Sequence, residues 1–418
     1  MKTIFKALFL FITLGISAQQ SATESEVVTK ALQEKVALTN TSIIKNISFS
    51  NIGPTIMSGR VADIDVNPND PTEFYVGYAS GGLWYTKNNG TSFIPLLDNS
   101  PTQNVGDIAV DWDNGTIWVG TGEKNSSRSS YAGIGMLKSY NQGKTWEHVG
   151  LSDSHHVSRI VINSNNPEEV VVGVIGHLYS PNEERGVFKT LDGGKTWKKT
   201  LFVNNDTGII DVVAAPENPN VLYAASWERE RKAWNFDGDG NHSAIYKSTD
   251  AGDTWENISN DNGFRNGAGV GRIGLSVYDE NTVYAIHDSQ FRRKSEKKEK
   301  KSSNGLIKED FKKMSTEEFL ALTDKNLNNY LRANRFQQKY TSKTVKKMVS
   351  QGTVMPIDLA KYLEDANSLL FDTPVEGAEV FVTTNGGKNW SKTHKNHIDG
   401  LYYSYGYYFG EIRVDPQD

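Results

Sequence analysis

Short runs of apolar or alternating residues recur along most of the chain, and none of them carries apolar positions at helical spacing. A first run reads VADIDV (61–66), IAVDW (108–112), RIVIN (159–163), IDVVAA (210–215) and RIGLSV (272–277). Polar turns such as NPNDP, NSNNPEE and PENPN follow, and then a second run: FYVGY, IWVGT, VVVGV, LYAAS, VYAIH. A third run (GLWYT, GMLKS, GVFKT, AIYKS, EVFVT) enters a nine-residue phrase, and a fourth begins after it, as in WEHVG (146–150) and WENIS (255–259). Four short strands with turn residues between them, repeated at near-constant spacing, predict an all-β fold of four-stranded repeating units.

The phrase itself is written five times: YTKNNGTSF (85–93), KSYNQGKTW (138–146), KTLDGGKTW (189–197), KSTDAGDTW (247–255) and VTTNGGKNW (382–390). Its Asn88, Asn141, Asp192, Asp250 or Asn385 is expected to accept N–H bonds across a turn. The glycine two residues on supplies a positive φ, and the aromatic (Phe93, Trp146, Trp197, Trp255, Trp390) is expected to bury between sheets. The phrase therefore reads as a staple from third to fourth strand rather than an active site.

Ser248, Asp250, Gly252, Thr254 and Trp255 resemble the Asp box of sialidases, sortilins and related propellers, and Thr190, Asp192, Gly194, Thr196 and Trp197 repeat it with Thr first. The other three turns replace Asp by Asn. Over residues 50–418 the chain looks most like the Asp-box (BNR-repeat) bacterial sortilin-like propellers often labelled glycosyl hydrolases. That resemblance implies a β-propeller of four-stranded blades: about five full blades plus part of a sixth. FSNIG (49–53) imitates a fourth strand that closes a ring, and GEIRVDPQD (410–418) imitates a first strand, so an incomplete ring within a longer protein is expected.

Within blade five, residues 289–376 depart from the pattern. A basic run, FRRKSEKKEKKSS, reads as a solvated tether. Ser315 to Glu318 then forms a capping-box pattern before FLALTDKNLNNYLRANRF, and two further helical stretches are expected near 341–350 and 356–370. The domain plan is thus a leader (1–18), a lead-in (19–42) and the propeller (43–418) with its helical insertion (289–376).

Composition narrows the setting. MKTIFKALFLFITLGISAQQ has lysines, an apolar run and small residues, the pattern of an export signal; its run from Ile4 to Ile16 is too short to span a bilayer. The chain has no cysteine, which excludes disulfides and a lipid-modified cysteine anchor. Forty-five basic residues against 50 acidic ones give no reason to expect nucleic acid. An exported protein with no membrane span is expected: secreted, periplasmic or held at the cell surface.

Candidate chemistry lies on one end of the units, where the second-to-third-strand loops and the unit linkers gather. Preceding each first strand's leading aliphatic stands a charge: Asp63, Asp107, Arg159, Asp211, Arg272, Glu411. These either pair around a central channel or, with Arg60, present arginine forks to a carboxylate ligand. Glu123, Glu228 and Asp288 end second strands and are the candidate catalytic carboxyls, but no spacing pairs two of them. Resemblance to sialidases is broken because Val161 and Gly274 follow Arg159-Ile160 and Arg272-Ile273, where those enzymes have proline; against xyloglucanases, Ser80 stands where a catalytic Asp is expected. Tyr131, Trp227, Trp234 and Tyr405 offer stacking platforms for sugar or peptide. Asp237, Asp239 and Asn241 hint at calcium without the rest of its loop, and His155-His156 reads as a satisfied loop pair lacking a third ligand, so neither a metal nor a cofactor is expected. The leading function is a binding module for a peptide, protein or glycan. The alternatives are a glycoside hydrolase with unrecognised carboxylates and a non-catalytic surface or assembly scaffold, like the propellers that help photosystem II assemble.

Overall fold

The computed structural model describes residues 22–47, 49, 59–293, 305–334, 336–363, 375–398, 401 and 405–417. The expected export signal and all of the closing strand at 49–53 except Phe49 lie outside these residues. Two compact units emerge, Met1–Phe291 with Gly377–Asp418, and Arg292–Glu376.

Among the described residues the larger unit holds five four-stranded antiparallel sheets, whose strands pair in chain order. The first is β1–β4 (Val61–Val66, Phe74–Tyr78, Gly82–Thr86, Ile94–Pro95) and the second β5–β8 (Val105–Asp111, Thr116–Thr121, Met136–Ser139, Glu147–His148). The third is β9–β12 (Val157–Asn163, Asn166–Val174, Gly186–Thr190, Lys198–Leu201). In the fourth, β13 (Thr207–Ala215) and β14 (Asn218–Glu228) are joined to β17 (Ile245–Ser248) and β18 (Glu256–Asn257) through a ribbon, β15 (Glu230–Arg231) and β16 (Phe236–Asp237). The fifth is β19–β22 (Val270–Val277, Val283–Arg292, Val375–Thr383, Ser391–Lys392).

Alternation explains how the sheets stack. Along β10, Val170, Val172 and Val174 pack with Trp118 and Met136 of the second sheet, while Val171 packs with Leu222 and Ala224 of the fourth. Along β14, Tyr223, Ala225 and Trp227 turn instead to Ile273, Leu275 and Phe381 of the fifth. A strand buried on both faces loses the polar half of its alternation, which is why VVVGV reads as a continuous apolar run. Consecutive first strands lie beside one another, and with residues 413–416 they line a hollow of about 560 Å³.

The repeated turns are one structure built five times. In the third sheet, Asp192 Oδ1 accepts from Thr190 Oγ1 (2.8 Å) and Thr196 N (2.9 Å), and Thr190 Oγ1 accepts from Gly194 N (2.9 Å). The indoles then cross to the sheet before: Trp146 Nε1 donates to Leu96 O (2.8 Å), Trp197 to Val149 O (2.6 Å), Trp390 to Ile258 O (2.9 Å). Phe93 has no such donor.

Two expectations are corrected. Residues 410–417 run beside β19 without forming a strand: Val414 N donates to the Ser276 hydroxyl (2.8 Å), and no second strand pairs with them among the described residues. The stretch expected to be helical from Phe319 on is two helices, because Thr323 caps a fresh start by accepting from Asn326 N (3.3 Å).

The smaller unit holds α2 (Lys308–Lys313), α3 (Thr316–Leu320), α4 (Asp324–Ala333), α5 (Ser342–Ser350) and α6 (Pro356–Leu363), following α1 (Ser25–Thr41) of the lead-in. Ser315 and Glu318 close a capping box at the start of α3. Phe311, Phe319, Leu327, Leu331, Val345 and Leu359 form its core. No helix among the described residues is long and apolar enough to cross a membrane.

Candidate functional site

Antiparallel sheets of four strands send their second-to-third loops and sheet-to-sheet linkers to one end, and the candidate charges, carboxyls and aromatics gather there. At its centre the charges that precede the first-strand aliphatics pair with each other. Arg159 Nε meets Asp211 Oδ1 (3.0 Å), and its Nη1 meets Asp107 Oδ1 (3.2 Å) and Asp63 Oδ1 (3.8 Å). Burial opposes this charge, but the three carboxylates hold the guanidinium well above its ordinary pKa. The other oxygens tie the sheets together: Asp63 accepts Ile108 N (3.3 Å), Asp107 accepts Ile160 N (2.8 Å) and Asp211 accepts Leu275 N (3.0 Å).

Lys124, which the sequence pattern misses, completes the set. Its Nζ lies between Asp107 (3.3 Å), Glu411 (3.7 Å) and Ser158 O (3.0 Å). Arg272 reaches Glu411 Oε1 (3.2 Å), Asn125 Oδ1 (2.5 Å) and the carbonyls of Tyr407 and Tyr408. The forks of Arg159 and Arg272 are therefore met from within the protein.

The three candidate carboxyls sit in separate settings. Glu123 is buried and accepts from Arg60 Nε (2.9 Å) and Nη2 (2.5 Å), Ser130 Oγ (2.7 Å), Asn125 Nδ2 (3.2 Å) and Tyr408 Oη (3.0 Å). Burial raises its pKa, but Arg60 and these hydroxyls outweigh that and hold it below the ordinary value. Glu228 accepts from His242 N (2.9 Å) and contacts its Nδ1 (3.0 Å). Asp288 is buried, takes one side-chain donor, Gln290 Nε2 (2.9 Å), and is pushed up to about 7, first by burial. The donors on Glu123, on Glu228 and on Asp288 are different residues.

Of the aromatic platforms, Trp227 is corrected: it is wholly buried and its Nε1 donates to Gly238 O (2.9 Å), so it is a wedge under the 237–241 loop. Trp234 is 78 % exposed at the tip of the β15–β16 ribbon, and Tyr405 is half-buried. Asp237 is exposed and accepts from Asn235 (3.2 Å), while burial raises the pKa of Asp239.

A pocket of about 740 Å³ opens among these loops. Its wall includes Arg128, Tyr131, His155, His177, Tyr179 and Lys232, with Glu230 beside them on the ribbon. Tyr131 and Tyr179 keep 57 % and 44 % of their surface exposed. The His155-His156 pair splits here. His156 turns inward, its Nδ1 against Glu123 O (2.9 Å), while His155 stacks on His177 with ring centroids 3.7 Å apart. Burial, then the His177 ring, pulls His155 down to about 4, so it is neutral near pH 7. Asp153 joins the two rings, and these three are the converging group of metal-ligating types among the described residues; the 237–241 loop is not one. His177 and Asp153 come from different connections, GHL after β10 and DSHH before β9, and only the fold shows that they meet.

A family model described as Sortilin-Vps10 (Sortilin, neurotensin receptor 3) matches residues 135–355. No curated protein matches the chain. Among solved structures, a GH74 enzyme from Niastella koreensis is similar with a TM-score of 0.47 and 17 % identity, over 86 % of this chain and 42 % of that one. A GH74 xyloglucanase from Xanthomonas campestris gives a TM-score of 0.45 and 14 % identity over the same shares. YCF48 bound to D1 peptide gives 0.36 and 12 %, over 56 % of this chain and 63 % of that one. The chain thus spans less than half the length of either GH74 protein.

Proposed function

From the premise that the chain belongs to the Sortilin-Vps10 family and forms a sortilin-like β-propeller, we propose that it is an exported binding module whose loop-rich end captures a peptide, protein or glycan. The ligand lies in the pocket walled by Tyr131, Tyr179, Arg128 and Lys232. One observation carries this reading: the exposed aromatics Tyr131 and Tyr179 share one pocket, and the ribbon supplying Lys232 to it ends in the exposed Trp234. Exposed rings beside a few polar groups are what a binding surface needs, since each ring offers a large contact area for little lost freedom. Charges deeper in the same end are spent on one another and supply rigidity instead.

Binding of the full chain to peptide and polysaccharide panels tests this. Tyr131→Ala and Tyr179→Ala are expected to weaken a ligand each by tenfold or more with unchanged melting temperature. A ligand bound equally well by both variants would move the site elsewhere.

A hydrolytic reading has one point in its favour. Burial brings Asp288 to about 7, the range of a general acid at neutral pH. Release of reducing sugar from any polysaccharide, abolished by Asp288→Asn, would replace the binding reading with that one.

A further inference from the structure

We propose that Asp153, His155 and His177 form a binding site for a divalent transition-metal ion of the zinc type, open to the pocket. The ligand atoms of the three residues already lie within 4.8 Å of one another. His177 Nε2 and Asp153 Oδ1 are joined by a 2.9 Å hydrogen bond; an ion would replace its proton, and the two atoms would part only to the roughly 3.3 Å between neighbouring ligands of a tetrahedral shell with 2.0–2.1 Å bonds.

Asp153 and His177 are also held from behind, as metal ligands are, and His155 is fixed through its backbone. The Ser180 hydroxyl is 2.9 Å from His177 Nδ1, which leaves Nε2 as the inward-facing nitrogen. Asn182 Nδ2 donates to Asp153 O (2.9 Å) and Oδ2 (3.3 Å), while Glu184 accepts from Asp153 N (2.6 Å). His155 is kept in place by a left-handed backbone, φ 53°, and its carbonyl accepts from Gly133 N (2.7 Å). A left-handed histidine is uncommon and costs energy that the surrounding contacts must repay.

Two imidazoles and one carboxylate select the ion. Nitrogen donors favour zinc, cobalt, nickel or copper over calcium or magnesium, which take oxygen shells. Three protein ligands leave a fourth position, and His155 and His177 both line the pocket, so that position faces solvent. Two features oppose the ion. The stacked rings, 23° from parallel, must splay so that His155 points its nitrogen in plane, which its half-buried position allows. Arg185 also places positive charge nearby, although its guanidinium is anchored on His177 O (2.8 Å) and Ser180 O (2.9 Å), and the Asp153 carboxylate opposes it at His155.

The site does not depend on the identity of the pocket's ligand, and its test needs only the metal. Untagged, chelator-treated full chain is titrated with Co²⁺, followed by visible absorption, and with Zn²⁺ by calorimetry. One ion per chain is expected, with Zn²⁺ displacing Co²⁺. His177→Gln and His155→Asn, the latter compatible with a left-handed backbone, should each weaken binding at least 100-fold. Ser180→Ala, which acts through His177, should weaken it roughly 10- to 100-fold. His242→Ala, outside the cluster, should change nothing, and circular dichroism confirms that each variant is folded. No stoichiometric binding by the folded chain, or equal affinity in folded His155→Asn and His177→Gln, overturns the proposal.

Discussion

Asp192 and Asp288 are the same residue at opposite ends of the sheets, and their surroundings push them in opposite directions. In the repeated turn, Asp192 receives Thr196 N, Thr196 Oγ1 and Thr190 Oγ1 at 2.7–2.9 Å and is lowered to about 2. Asp288, at the loop end of β20, is buried with one side-chain donor and is raised to about 7. The repeated turn supplies its own carboxylate with donors from within the turn, which makes it robust and repeatable. At the loop end most charges are paired across the sheets, but Asp288 is buried with a single side-chain donor, the condition under which a residue acquires chemistry.

The largest expected effect breaks that contrast by titration. Between the unfolded pKa of about 3.9 and the folded value of about 7, the native state holds the Asp288 proton that the unfolded state has released. Asp288 therefore favours folding most below pH 4 and loses that contribution as pH rises to 7. Asp288→Asn should remove this decline and gain on the order of 4 kcal/mol relative to wild type at pH 8, read from urea unfolding across pH. Asp192 behaves inversely: its stabilisation is complete above pH 4 and is lost as pH falls toward 2. Asp192→Asn should leave the melting temperature at pH 7 unchanged and reduce the loss at pH 3, because Asn141 already bonds its threonine (2.8 Å) in the second sheet. Parallel pH profiles for both variants would erase the distinction between the ends.

A tryptophan pair sharpens the same comparison. Trp197 bonds Val149 O and meets Trp118 edge-on, centroids 6.3 Å apart. Trp197→Ala should cost about 3 kcal/mol in chemical denaturation, the low end for a large aromatic because it is only half-buried. Trp234→Ala should change stability by less than about 0.5 kcal/mol and weaken ligand capture instead. If Trp234→Ala destabilised the fold as much as Trp197→Ala, the ribbon would be scaffold rather than binding surface.

How legible each end was in the sequence follows from the range of its interactions. The turn is local: Thr190, Asp192, Gly194 and Thr196 bond within seven residues, so repetition alone exposes the motif. Sheet order is legible for the same reason, since within each four-stranded sheet the strands follow one another in chain order, with the β15–β16 ribbon interposed in the fourth. The charged positions of the first strands were visible, and so was the option that they pair with one another, but which of them pair was not. Arg159 and Asp211 are 52 positions apart, and Lys124 lies off the repeat altogether. Asp153 and His177 bond across 24 positions through two unrelated loops, and no spacing rule connects them. The direction of Trp227 was not legible because a loop-end aromatic at a strand terminus can point either way, and only the packing of Gly238 over it decides.

The smallest expected effect isolates backbone strain at the turn end. The residue after the Asx has φ 53° at Asn89, 58° at Gln142, 69° at Gly193, 55° at Ala251 and 69° at Gly386. Two turns use glycine there and three hold a side chain in the left-handed region, which costs about 1–2 kcal/mol. Glycine removes that cost but gives back about 0.5–1 kcal/mol in unfolded-chain freedom. Ala251→Gly should therefore raise stability by roughly 0.5 kcal/mol, seen as a small upward shift in the urea midpoint. A loss instead would mean that the buried Ala251 methyl contributes more through packing than its backbone loses through strain, and that even the repeated turns are tuned one by one.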